Sequence, residues 1–130
     1  MSMGAANGLL SVLSSRSVNI GLRTAHVGFM ALLFGGRHFS VELASLRPWH
    51  ALTALTGAAL LANEASHSRH WVYQGRGVLV LTHVAAVALV VAAPGMAVPA
   101  IAAALIIGCI GSHLPGAIRK WSFRHRRVVD

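Results

Sequence analysis

At 130 residues, 55% of them apolar and only 11% charged, with a mean hydropathy of +0.65, the chain has too few charged side chains to solvate the surface of a soluble domain. The net charge of +8 would suit nucleic acid, but no recognition motif accompanies it, and the expectation is no nucleic-acid partner. One cysteine, Cys109, excludes a disulfide framework and a thiolate metal cluster, and it is expected to be a small buried apolar residue.

Residues 1–17, "MSMGAANGLLSVLSSRS", have a short apolar core with no basic stretch before it, so they read as a surface-lying lead-in and not a secretion signal. Four apolar blocks follow, each close to the length that crosses about 30 Å of hydrocarbon at about 1.5 Å per residue. The first span is expected over 18–36, closing on Gly35-Gly36. The second, 48–66, starts with Pro48 in its first turn and Trp49 and His50 at the interface. The loop "SHSRHWVYQGRG" brings Trp71 and Tyr73 to the membrane boundary. The third and fourth spans, 76–94 and 96–114, are joined by "APGMAVP", a turn tight enough to make them antiparallel neighbours. Gly108 and Gly111 make a small-residue strip suited to close helix packing. Pro115-Gly116 ends the last span, and 119–130 form a basic tail. The expected fold is all-α, a four-helix transmembrane bundle running up-down-up-down.

Four crossings put both termini and the loop between spans two and three on one side. That side collects Arg16, Arg23, Arg69, Arg76, Arg119, Lys120, Arg124, Arg126 and Arg127, while Arg37 and Arg47 lie opposite. The asymmetry places both termini in the cytoplasm of a multi-pass protein of the bacterial inner membrane. "RKWSFRHRR" then reads as an anchor against anionic lipid or a partner subunit.

Ionisable residues fall on one stripe of each helix at 100° per residue. Span one carries Asn19, Arg23, His26, Met30 and Leu33; span two carries Thr53, Gly57, Leu60, Glu64 and His67. Span three carries Arg76, His83, Val87 and Val90, and span four has His113 near its cytoplasmic end. Lipid rejects such groups, so the stripes should face one interior. His26 and His83 lie about eight and seven residues inside spans that both enter from the cytoplasm, which puts them nearly level. Two level imidazoles can bracket a flat macrocycle, and Arg23 and Arg76, nearer the water, suit the propionates of a b-type haem.

His67 and His113 form an alternative ligand pair. Glu64 and His67 could relay protons to a quinone or to solvent. Their Glu-x-x-His spacing also occurs in di-iron bundles, but those need several carboxylates and the chain has Glu42, Glu64 and Asp130 only. Against these functional readings stands the common one, in which a membrane histidine bonds between helices. Met30 reads as packing, Arg76 also as a snorkelling end residue, and His38, His50, His70 and His125 as interfacial.

The stretch "LRTAHVGFMALLFGG", then "LTALTGAALL", an aromatic-containing loop and "GRGVLVLTHVAAVALV" resemble, over about residues 22 to 93, the core of copper-resistance D-type membrane proteins and four-helix b-type cytochromes. The resemblance implies His26 and His83 as haem or metal ligands. The first expectation is therefore a small membrane haem protein moving electrons between a quinone pool or partner redox subunit and an acceptor. The second is a cofactor-free structural or assembly subunit of a respiratory or photosynthetic complex. The third is a copper or other transition-metal carrier using Met30 and the histidines, ranked last because the chain has no methionine-rich tract. The sequence leaves open whether the protein is an enzyme.

Overall fold

The computed structural model describes the backbone of residues 3–67 and 70–129 and the side chains of residues 16–66 and 70–129. Four main helices, α1 (Met3–His38), α2 (Leu43–His67), α3 (Gly75–Ala92) and α4 (Ala97–His113), account for most of it. A short helix α5 (Gly116–Arg119) and a two-stranded antiparallel hairpin, β1 (Trp121–Ser122) and β2 (Arg127–Val128), follow. The protein is thus all-α in its main body. Three of its segments, Arg16–His38, Gly75–Ala92 and Pro94–His113, are long and apolar enough to cross a membrane. Helix α2 has the length, about 37 Å at 1.5 Å per residue, but Arg47, His50, Asn63 and Glu64 dilute its apolar content.

Helix α1 differs from expectation at both ends. Residues 3–17 continue it without a break, so the lead-in belongs to the same helix as the first apolar block. At the other end Gly35 and Gly36 do not stop the helix, which runs on to His38. It closes by a Schellman arrangement: Val41 N–H donates to the Gly36 carbonyl at 2.8 Å and Ser40 N–H to the Arg37 carbonyl at 3.3 Å. Ser40 takes the left-handed conformation this cap requires, with φ 57°.

Helix α2 begins at Leu43, one turn earlier than Pro48 alone would suggest. Proline has no N–H to offer the carbonyl four residues back. Near the helix start that loss falls in a first turn already open to its surroundings, and the helix carries through it. The junction of α3 and α4 is as tight as expected, a single 3₁₀ turn at Pro94–Met96. Leu114 leaves the helical region at ψ 134°, as a residue before proline must, and α4 ends there.

Helix α1 packs against α2 and α4, and α3 lies along α4. The small buried core is Met30, Ile101 and Ala104, flanked by Phe34, Ala86, Val90 and Leu105. Most large apolar side chains instead face outward, among them Leu32, Leu55, Leu81, Val91 and Ile106. That inversion is what a bundle solvated by lipid produces. Cys109 also lies on the exposed side, contrary to its expected burial, on the outward face of α4 with Ile106 and Ile110.

Glycine at position 40 would relieve the positive-φ strain of the cap. Ser40→Gly should stabilise the fold by about 0.5–1 kcal/mol, read as a raised thermal midpoint in detergent, whereas Ser40→Val should lower it.

Candidate functional site

The interior stripe of α1 packs as its spacing predicts: Met30 and Leu33 are each 3% exposed, and His26 sits one turn before Met30. On α2, Thr53 and Thr56 are buried and Gly57 faces the His26 ring. A Cβ on Gly57 would stand 3.0 Å from His26 Cε1, so the helix accepts this imidazole only because a side chain is missing there. On α4, Gly108 lies beside His83, but less tightly: a Cβ there would stand 3.8 Å from His83 Cε1, in ordinary contact. The two rings meet with centroids 5.9 Å apart and planes inclined at 51°.

The hydrogen bonds decide which nitrogen of each ring carries the proton. His83 Nδ1 lies 2.9 Å from the Ala104 carbonyl oxygen. A carbonyl only accepts, so Nδ1 of His83 is the protonated nitrogen. His26 Nδ1 lies 2.9 Å from the Thr56 hydroxyl oxygen. That hydroxyl spends its one proton on the Leu52 carbonyl at 2.7 Å, so it accepts from His26 Nδ1–H. Each ring thus turns Nδ1 to an oxygen, while its Nε2 has no hydrogen-bond partner among the described residues. Histidines that ligate metals are oriented in this way, with one ring N–H held by an oxygen acceptor and the other nitrogen free.

A charge cluster lies at the end of the bundle where α2 finishes and α3 begins. Arg76 NH1 donates to Glu64 Oε1 at 2.8 Å, and Arg23 NH2 stands 3.9 Å from Glu64 Oε2. Arg76 Nε donates to Gln74 Oε1 and Arg23 Nε to Asn19 Oδ1. The two arginines expected to receive propionates are thus both turned to one carboxylate. They differ in how firmly they are held. The Arg76 side chain is 16% exposed with two bonded partners, whereas Arg23 is 41% exposed with one hydrogen bond and a loose ion pair.

The other expected positions divide. Val90 lies against the core, but Val87 is exposed and Ala86 takes the interior position, because α3 is rotated to lay its inner track along α4. His113 is exposed at the end of α4, so it does not share the interior with His26 and His83. The side chain of His67 falls outside the described residues, as does any relay it would form with Glu64. His50 bonds the Leu46 carbonyl of its own helix at 3.0 Å. Among the described residues no three His, Cys, Asp or Glu side chains gather closely enough to hold a bare metal ion.

Three participants were not singled out from the sequence. Thr56 lies on the stripe of Thr53 and Gly57 and was legible there as a polar group on an interior face. Gln74, fully buried, comes from a loop and carries no periodic signal. The third is the tail. It does not extend freely but folds back so that Ser122 pairs with Gln74 and Phe123 N–H donates to the Tyr73 carbonyl at 2.9 Å. Two close approaches explain "GRG": a Cβ on Gly75 would run into the Ile118 carbonyl of α5, and one on Gly77 into the Trp71 carbonyl of the turn before α3.

Nitrogen-15 NMR should find His26 and His83 each as a single Nδ1–H tautomer. Thr56→Val should destabilise the fold by about 1 kcal/mol and release the His26 tautomer while leaving that of His83 unchanged. Glu64→Gln, which strands two guanidinium groups, should cost roughly 2 kcal/mol or more, measured by thermal unfolding in detergent. No protein-family model, curated protein or solved structure matches the chain, so its site stands on this geometry alone.

Proposed function

We propose that this chain is a small haem-binding protein of the bacterial inner membrane, in which His26 and His83 hold a b-type haem for electron transfer. Helix α2 makes the fourth crossing, giving an up-down-up-down bundle with both termini in the cytoplasm. The charge asymmetry supports this topology, since cations outside the bundle concentrate at the end where α1 begins and α4 finishes.

The observation that carries the haem reading is the matched pair of Nδ1-anchored imidazoles at 5.9 Å. Haem supplies one-electron iron chemistry and brings four of the iron ligands itself, so the protein need furnish only two. A donor set of two histidines, with no cluster of three His, Cys, Asp or Glu side chains among the described residues, fits that requirement. It fits a bare copper or zinc ion poorly, since such ions take more protein ligands. Thr56 and the Ala104 carbonyl keep the Nε2 lone pairs available and the rings oriented. Gly57 leaves room on α2 for the His26 ring. Arg23, more exposed and with donors to spare, is the better propionate partner; Arg76 steadies Glu64. The apolar surroundings of Met30, Ile101 and Ala104 exclude water from the neighbourhood, which tunes the potential of a bound haem. A quinone or a partner redox subunit would exchange the electrons.

A second reading, a cofactor-free assembly subunit of a larger membrane complex, is favoured by the closure of Arg23 and Arg76 on Glu64. That arrangement satisfies the charges without any anionic guest. Optical spectra separate the two. The purified protein should show a Soret band that shifts on reduction with dithionite, lost in His26→Ala and in His83→Ala, and Thr56→Val should weaken haem retention by about tenfold. A colourless protein from haem-replete cells would reject the haem reading. In that case His26→Ala should impair assembly of the complex without changing its cofactor content.

A further inference from the structure

The hydrogen bonds at the end where α2 finishes and α3 begins form one continuous line from the tail to the bundle interior. The Val129 carbonyl accepts from Gln74 Nε2 at 2.7 Å. Gln74 Oε1 accepts from Arg76 Nε, and Arg76 NH1 donates to Glu64. Glu64 in turn pairs with Arg23, which donates to Asn19. Gln74 is the hinge of this line: it is fully buried, and each end of its carboxamide has a single partner, one in the tail and one in the charge cluster. With its amide nitrogen held by Val129, its oxygen can only point at Arg76.

The hairpin that supplies Val129 is held lightly. Its one buried residue is the small polar Ser122, while Trp121, Phe123 and Val128 are 41%, 62% and 49% exposed. Its ties to the preceding turn include the Phe123 bond to Tyr73 and Arg124 stacked 5.1 Å over the Tyr73 ring, while the Val129 N–H bond to the Lys120 carbonyl closes the hairpin on itself. His125 meets His70 edge to face at 5.6 Å. An element with so little buried apolar area opens at far lower cost than the helices beneath it. Opening removes the carbonyl that orients Gln74 and hence one of the two bonds that fix Arg76.

We infer that the C-terminal hairpin is a latch: docked, it holds Arg76 on Glu64 through Gln74, and lifted, it frees that carboxylate. The inference does not depend on what His26 and His83 bind. Its lever is the set of exposed hairpin cations, Arg126 and Arg127, through which an anionic surface can draw the hairpin away.

The test is labelling of Glu64 by a hydrophobic carbodiimide, which adds to protonated carboxyl groups in apolar surroundings and is read by peptide mass spectrometry of the full chain in detergent. Gln74→Leu keeps the buried volume but removes both bonds; a chain ending at Lys120 removes the latch. Each should label Glu64 at least about fivefold faster than the parent, the effect of losing one net hydrogen bond of about 1 kcal/mol, and Arg76→Gln should label at least as fast. Arg47→Gln, exposed near the opposite end of α2 and part of neither the line nor the hairpin, should label at the parent rate. Parent-like labelling in Gln74→Leu, with helical circular dichroism retained, overturns the latch even if the shortened chain fails to fold. Faster labelling in Gln74→Leu but not in a folded shortened chain overturns the role of the tail.

Discussion

Glu64 is the constraint on which the rest of this bundle depends. A carboxylate near the end of an otherwise apolar helix pair must be paired or neutralised, because leaving it alone in a low-dielectric setting costs several kcal/mol. Its two partners come from different helices, Arg23 from α1 and Arg76 from α3. One side chain on α2 therefore ties three helices at a single level. Direct packing alone would join them less firmly, since α3 lies chiefly along α4. Arginine suits the role: it stays charged and offers several donors, so it can hold Glu64 and a second oxygen together. Arg76 does this with Gln74, and Arg23 with Asn19.

Once the three helices are tied below, the imidazoles meet above. His26 enters α2 where Gly57 leaves room, and His83 lies against α4 beside Gly108. Each ring then finds one oxygen acceptor on the helix it invades. The ordinary need of a membrane histidine to satisfy an N–H thus produces the same tautomer that a metal ligand requires. That coincidence explains why structural and ligating roles are hard to tell apart for a single histidine. What distinguishes this site from a lone interhelical hydrogen bond is that two such rings stand side by side, 5.9 Å apart.

The core is small, and its largest wholly buried side chains, Gln74 and Ser122, are polar. In water that would describe an unstable protein. In lipid the hydrophobic effect does not drive helices together, and close packing at small residues with a few polar contacts does so instead. The outward Leu, Ile and Val side chains serve as the surface, and the polar groups serve as the joints.

Much of this was determined by the sequence alone. Composition fixed the membrane setting, because 11% charged residues cannot solvate a globular surface. Helical periodicity placed Asn19, Arg23, His26, Met30 and Leu33 on one interior face, since 3.6 residues per turn is a local property. The matched depth of His26 and His83 followed from counting residues along two spans. Tertiary structure alone decided the partners. That Arg23 and Arg76 converge on Glu64, that Val87 gives way to Ala86, and that Cys109 faces outward depend on how each helix is rotated against its neighbours, which a single sequence does not encode locally. The Gly35-Gly36 pair failed as a stop because a helix ends where its last carbonyls find donors, and here Ser40 and Val41 supplied them. The docking of the tail on Gln74 was least visible of all: it joins residues 55 positions apart through hydrogen bonds that leave no periodic trace in the chain.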